Sequence, residues 1–169
     1  MKEYLVLDGY NVINAWPRLK EIAHKDLALA RVELIDMMIE YRTYSGLEII
    51  VVFDAHLVKG NNGTKEILSG IEIVYTKERE TADAYIEKAI IEITKRNRAV
   101  VATNDWAEQQ MILGGGATRI SVRELILDFS NMKTTITRDV SRQTEQKDVL
   151  STRVDPITLK KLEKLRRSR

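Results

Sequence analysis

Three short, uninterrupted apolar runs punctuate the first two thirds of the chain, and each ends at a carboxylate. They are Leu5-Val6-Leu7 before Asp8, Ile49-Ile50-Val51-Val52-Phe53 before Asp54, and Ala99-Val100-Val101-Ala102 before Thr103-Asn104-Asp105. Apolar runs without alternation predict strands buried on both faces, as in a parallel sheet covered by helices. The first strand is expected over residues 3–8, followed by a polar turn, and the second over 48–53. Between them Leu27, Ala30, Leu34, Met37, Met38 and Tyr41 recur at helical spacing, predicting a helix from Asp26 to about Tyr44 closed by Gly46. Ile71–Tyr75 alternate as a third strand. Thr81 then caps a helix carrying Ala82, Tyr85, Ile86, Ala89, Ile90 and Ile93 on one face. A fourth strand over 99–103 leads to a helix around Trp106–Leu113 and a short strand at Thr118–Ile120. Ser121-Val122-Arg123-Glu124 has the form of a capping box opening a further helix. Strands alternating with helices predict an α/β fold with a mostly parallel sheet.

From Lys133 to Arg153 the sequence is polar with little periodicity, which suggests an extended arm. Asp155-Pro156 then resembles the start of a short terminal helix. Residues 1–132 are therefore read as the main domain and 133–169 as an appendage. Charge separates the same two parts. Residues 138–169 hold 10 Lys/Arg and 5 Asp/Glu, whereas the whole chain has 27 and 25, leaving 17 basic and 20 acidic residues elsewhere. A mildly acidic body with a basic tail points to a polyanionic partner, although a solvated helix face explains the tail equally simply.

Cysteine is absent, which excludes disulfides, thiolate zinc sites and thiol nucleophiles. The two histidines, His24 and His56, make a His-based zinc hydrolase a poor fit. The first strand opens almost at Met1 without a basic-then-apolar leader, and no apolar run approaches membrane-spanning length. A cytoplasmic protein with no membrane partner is the expectation.

The carboxylates carry the candidate chemistry. Ligands of open parallel sheets bind at the carboxyl ends of the strands. Asp8, Asp54, Asp105 and the helix-start pair Glu80 and Asp83 all fall where that edge should lie. Acids converging there repel one another, and a hard divalent cation with oxygen ligands relieves the repulsion. Each has a plainer reading: Asp54 shapes a turn, Asp105 caps a helix, and Glu80 and Asp83 complement a helix dipole. Their common placement favours a Mg²⁺ or Mn²⁺ site suited to phosphodiester hydrolysis.

The segments Leu7-Asp8-Gly9-Tyr10-Asn11-Val12-Ile13, Val52-Phe53-Asp54-Ala55-His56, Glu80-Thr81-Ala82-Asp83-Ala84-Tyr85-Ile86 and Thr103-Asn104-Asp105 resemble the NYN branch of the PIN-like nucleases, and within it the YacP-like family. The resemblance spans roughly residues 3–130. It implies a Rossmann-like sandwich and a metal-dependent endoribonuclease acting in RNA processing or decay, with mRNA as substrate and the ribosome as a partner. By that resemblance Asp8, Asp83 and Asp105 are the catalytic acids, and together with Glu80 the metal ligands. Asn11 matches the Asn beside the first acid, and Asp54 resembles the acid after strand two in flap-type relatives. Many relatives carry another acid two residues beyond the fourth-strand one; here Ala107 stands there, leaving one or two metals open.

Asn11, Asp54, His56, Lys77 and Arg79 are candidate substrate contacts, with ordinary surface positions as the alternative for the last three. Trp16 and Trp106 are candidates for base stacking or for the core. The Gly60–Gly63 loop with Lys59 and Lys65 either closes over RNA or is simply mobile. Gly114-Gly115-Gly116 follows a helix and so fits termination better than phosphate binding. Two other classes compete with the nuclease: a non-catalytic RNA- or ribosome-binding factor, and a phosphatase of small esters. Tyr10 argues against the phosphatase, because it stands where an aspartate-x-aspartate pair would need its second acid.

Overall fold

The computed structural model describes residues 1–57, 63–105, 110 and 112–152, the side chains of 57 and 145–152 excepted. Among the described residues six strands form one sheet. They are β1 (Glu3–Asp8), β2 (Glu48–Phe53), β3 (Lys65–Leu68), β4 (Ile71–Tyr75), β5 (Arg98–Ala102) and β6 (Thr118–Ile120), in the order β3-β4-β2-β1-β5-β6. All neighbouring pairs are parallel except β3–β4. Among the described residues the bounded α-helices are α1 (Gly9–Ala15), α2 (Pro17–Lys25), α3 (Leu27–Ser45), α4 (Ala82–Thr94) and α5 (Val122–Thr152), and residues 110 and 112–114 are helical as well. This is the α/β architecture expected, a mostly parallel sheet flanked by helices.

Strand parity decides which side chains meet which helix, because alternate residues face opposite sides. Val6, Ile50, Val52, Val74, Ala99 and Val101 form one buried cluster with Ala82, Ile86 and Ile90 of α4. Leu5, Leu7, Ile49, Val51, Phe53, Ile71, Ile73 and Tyr75 are buried as well and have the opposite parity, toward α1 and α3. α3 is bounded by Asp26, whose carboxylate accepts from the N–H groups of Ala28 and Leu29, and by Gly46 in the left-handed region at φ 73°.

Three segments differ from the sequence expectation. The polar turn after β1 is instead helical: α1 starts at Gly9 and α2 follows, with Pro17 at its first position. β3 was not anticipated. It is exposed along its length, so it carries no buried face to read, and it joins β4 through Ser69 and Gly70 at φ 48° and 85°, as in a two-residue hairpin of primed type. The expected polar arm from Lys133 is helical, since α5 runs on to Thr152. Hydroxyls of Thr134, Thr135, Thr137, Ser141 and Thr144 donate to carbonyls four residues back, so local bonds satisfy polar groups there without an apolar stripe. Trp106, most of the Gly60–Gly63 loop with Lys59, and the terminal helix expected at Asp155-Pro156 lie outside the described residues. No helix among the described residues is long and apolar enough to cross a membrane.

Candidate active site at the carboxyl edge of the sheet

β1 is flanked by β2 on one side and β5 on the other. The chain runs from β1 outward through β2 to β4, then returns to the far side of β1 as β5. That reversal makes a switch point at the carboxyl ends of β1 and β5, where open α/β sheets bind ligands. Asp8 is the last residue of β1, and Asp105 follows β5 by three residues. Asp8 shares the parity of Val6 and so faces the side covered by α4, whose first turn carries Asp83. The strand ends thus bring Asp8, Asp54 and Asp105 to one edge, and α4 adds Asp83.

Asp8 is also the N-cap of α1, accepting from the backbone N–H of Asn11 at 3.2 Å. Burial pushes its carboxyl above the ordinary carboxylate value. The negative charges of Asp83 and Asp54 push it further, against the opposing pull of the Asn11 and Tyr10 N–H groups. Asp83 and Asp105 are exposed, and Asp54 is partly exposed. Glu80 faces a different partner: Lys88 Nζ lies 2.9 Å from its carboxylate and draws its proton affinity below the ordinary value.

Neutral groups brace the edge. The Asn11 side-chain oxygen accepts from the backbone N–H of Asn104 at 3.1 Å, and the Asn104 oxygen accepts from Val122 N–H at 3.0 Å. The loop bearing Asp105 is thereby tied to α1 and to the start of α5. The hydroxyl of buried Thr103 accepts from Asp105 N–H at 3.0 Å. Ser121 and Glu124 close the anticipated capping box, at 2.6 Å and 3.1 Å. Just past β2, Asp54 accepts from His56 N–H at 3.0 Å, and buried Thr76, just past β4, accepts from Ala55 N–H at 3.0 Å. Gly9 matters sterically, because a Cβ there would come within 2.3 Å of the Phe53 ring.

A family model describing the YacP-like NYN domain matches residues 5–167. The chain belongs to the YacP-like NYN family. Among this family member's relatives, the uncharacterized protein YacP of Bacillus subtilis (strain 168) is 42% identical over 166 residues, 98% of this chain and 97% of that one. The crystal structure of Rae1 (YacP) from Bacillus subtilis matches with a TM-score of 0.72 at 42% identity, over 97% of this chain and 94% of that one. A crystal structure of a mutant form of the same protein gives 0.70 at 40% identity, over 83% and 82%. The YacP-like chain thus carries a nuclease-like NYN fold.

Other candidates fall out differently within this YacP-like frame. Trp16 is 6% exposed and meets Phe129 edge-on at 5.5 Å, so it belongs to the core and not to a base-stacking surface. His56, Lys77 and Arg79 are exposed, while Asn11 is partly buried and spends its oxygen on Asn104. Three groups escaped the sequence reading. Thr76 and Asn104 are polar residues one step beyond or inside a strand-end motif, a position that signals turn bracing. Arg31, on α3, gives no such signal, because only the fold carries it to Tyr10.

Among the described residues no three Asp, Glu or His side chains form a ready-made metal cage. The donor chemistry nevertheless fits a hard cation: oxygen ligands only, one of them desolvated and repelled by its neighbours. Mg²⁺ is commonly held by one or two carboxylates plus waters and substrate phosphate oxygens, and needs no closed protein cage.

Proposed function

We propose that this chain is a Mg²⁺- or Mn²⁺-dependent endoribonuclease that cuts single-stranded RNA, chiefly mRNA, in RNA decay or processing and in association with the ribosome. The observation that carries the reading is Asp8, a desolvated carboxylate beside the charges of Asp83 and Asp54 at the switch point of an NYN-type sheet. A fold that keeps such repulsion at a ligand-binding edge has a use for the negative potential. Asp8, Asp83 and Asp105 are assigned as the ligands, with Glu80 joining when its pair with Lys88 opens. A bound ion supplies activation of water and stabilisation of charge on the attacked phosphate. The protein's own share is orientation. Asn11 and Asn104 hold the Asp105 loop against α1, and the α1 cap fixes the Asp8 carboxylate. His56, Lys77 and Arg79 are assigned to the RNA strand as it enters the edge.

A non-catalytic RNA- or ribosome-binding factor is the second reading, favoured by the lack of a preformed metal cage among the described residues. Cleavage of a single-stranded RNA with Mg²⁺ or Mn²⁺, against a chelated control, separates the two. Asp83 is exposed, so Asp83→Asn leaves the fold intact and is expected to slow cation-dependent cleavage by about 100-fold or more. Cleavage by that variant at the native rate would overturn the metal assignment. RNA binding without any cuts would establish the second reading.

A further inference from the structure

Arg31 is a half-buried guanidinium, and among the described residues it has no carboxylate partner. Charged groups that leave water ordinarily pair with an opposite charge. Arg31 instead spends one N–H on a neutral group, donating from Nη1 to the Tyr10 phenol oxygen at 3.1 Å. Among the described residues the rest of its planar fork of donors has no partner, while the buried Tyr10 ring fixes one edge of the guanidinium through its phenol oxygen. Tyr10 stands two residues after Asp8. Its ring meets Phe53 edge-on, with centroids 5.2 Å apart, and Phe53 immediately precedes Asp54. Phe53 in turn stacks on Tyr75, the last residue of β4. The Arg31–Tyr10 pair therefore lies at the same carboxyl edge as the acids, on the α3 side of the sheet, whereas Asp8 faces the α4 side.

We propose that Arg31, oriented by Tyr10, is a receptor for a backbone phosphate of the RNA strand, flanking the linkage that is cut at Asp8. The fork of a guanidinium matches the paired oxygens of a phosphate, and phosphate contacts set the register of a strand without reading its sequence. The acidic edge needs such a group. A polyanion approaching Asp8, Asp54 and Asp83 is repelled unless a fixed cation holds the neighbouring phosphate. The inference rests on RNA as substrate, and it deepens that reading by giving the strand a direction across the edge, from the α4 side toward α3.

The test is binding of a fluorescent single-stranded RNA by the full chain in chelator, so that no cleavage occurs. Arg31→Gln is expected to bind roughly tenfold weaker, as for loss of one charged hydrogen-bonded contact. Its affinity should also depend less on salt, the log–log slope falling by about 0.7. Arg31→Lys should keep the slope, and Tyr10→Phe should lose part of the affinity with the slope unchanged. A single uncharged methylphosphonate walked along the RNA should weaken wild-type binding at one linkage, and Arg31→Gln should be indifferent at that linkage. Thermal unfolding of each variant checks that it is folded. Unchanged affinity and slope in folded Arg31→Gln overturns the receptor, as does equal sensitivity of both proteins at every linkage or no RNA binding by the wild type. If the receptor signature appears but metal-dependent cuts do not, the nuclease reading fails and the receptor stands. Cuts without the signature mean the reverse.

Discussion

Asp8→Asn should make the cation-free protein more stable while removing its proposed activity. Two effects of the substitution can be separated. Asp8 caps α1 through Asn11 N–H, and Asn caps a helix about as well as Asp, so the cap is retained. The charge is a different matter. Burial and the repulsion of Asp83 and Asp54 raise the Asp8 carboxyl above its ordinary value, so the folded chain holds that proton more tightly than the unfolded chain does. The sign follows from linkage: stability falls as pH rises from the unfolded carboxylate value through the raised folded one, and above that the whole penalty is present. Relieving a destabilising charge at a functional site commonly returns ~0.5–2 kcal/mol. For a chain of this length ~1 kcal/mol corresponds to about 3 °C in Tm. Asp8→Ala should lose that gain, because losing the cap costs ~1 kcal/mol. The assay is thermal unfolding in chelator from pH 4 to 8, repeated with Mn²⁺. Asp8→Asn should melt above the wild type at pH 7, and the gap should close toward pH 4. Mn²⁺ at about 100 times its Kd should then raise the wild type by ~2.7 kcal/mol and leave the variant unmoved. A lower Tm for Asp8→Asn at pH 7 without cation, or a gap that widens as pH falls, would refute the reasoning.

Other substitutions test the supports of the edge. Gly9→Ala places a Cβ against the Phe53 ring and should cost ~1–3 kcal/mol, measured by denaturant unfolding; a neutral result would mean that the ring moves freely. Thr76→Val leaves the Ala55 N–H without its acceptor and should cost a similar ~1–3 kcal/mol. Lys88→Ala should barely change Tm, because the Lys88–Glu80 pair involves a largely exposed lysine. It should nevertheless tighten Mn²⁺ binding, measured calorimetrically, and unchanged affinity would remove Glu80 from the ligand set.

The strands that hold the site were readable because each is buried on both faces. Val6, Val52 and Val101 cannot sit elsewhere, and their runs end where the acids begin. β3 escaped because Lys65, Glu66, Ile67 and Leu68 are all exposed, so no period marks them. α5 escaped past Lys133 because a helix that buries little needs no apolar stripe. Where a polar turn is expected after β1, Gly9 opens a helix, and its lack of a side chain serves Phe53, a residue 44 positions away. The acids of the site were visible as types and positions. Their electrical coupling was not, since it depends on α4 delivering Asp83 to the β1 end, and Arg31 depends likewise on how α3 crosses the sheet.

The most direct measurement compares RNA cleavage by wild type and Asp8→Asn with Mg²⁺ or Mn²⁺, on naked mRNA and on mRNA in a translating extract. Cation-dependent cuts by the wild type, absent from the folded variant, are the predicted result, and cuts confined to the extract would place the activity on the ribosome. Equal cutting by both proteins, or none by a wild type that still binds RNA or ribosomes, would contradict the account.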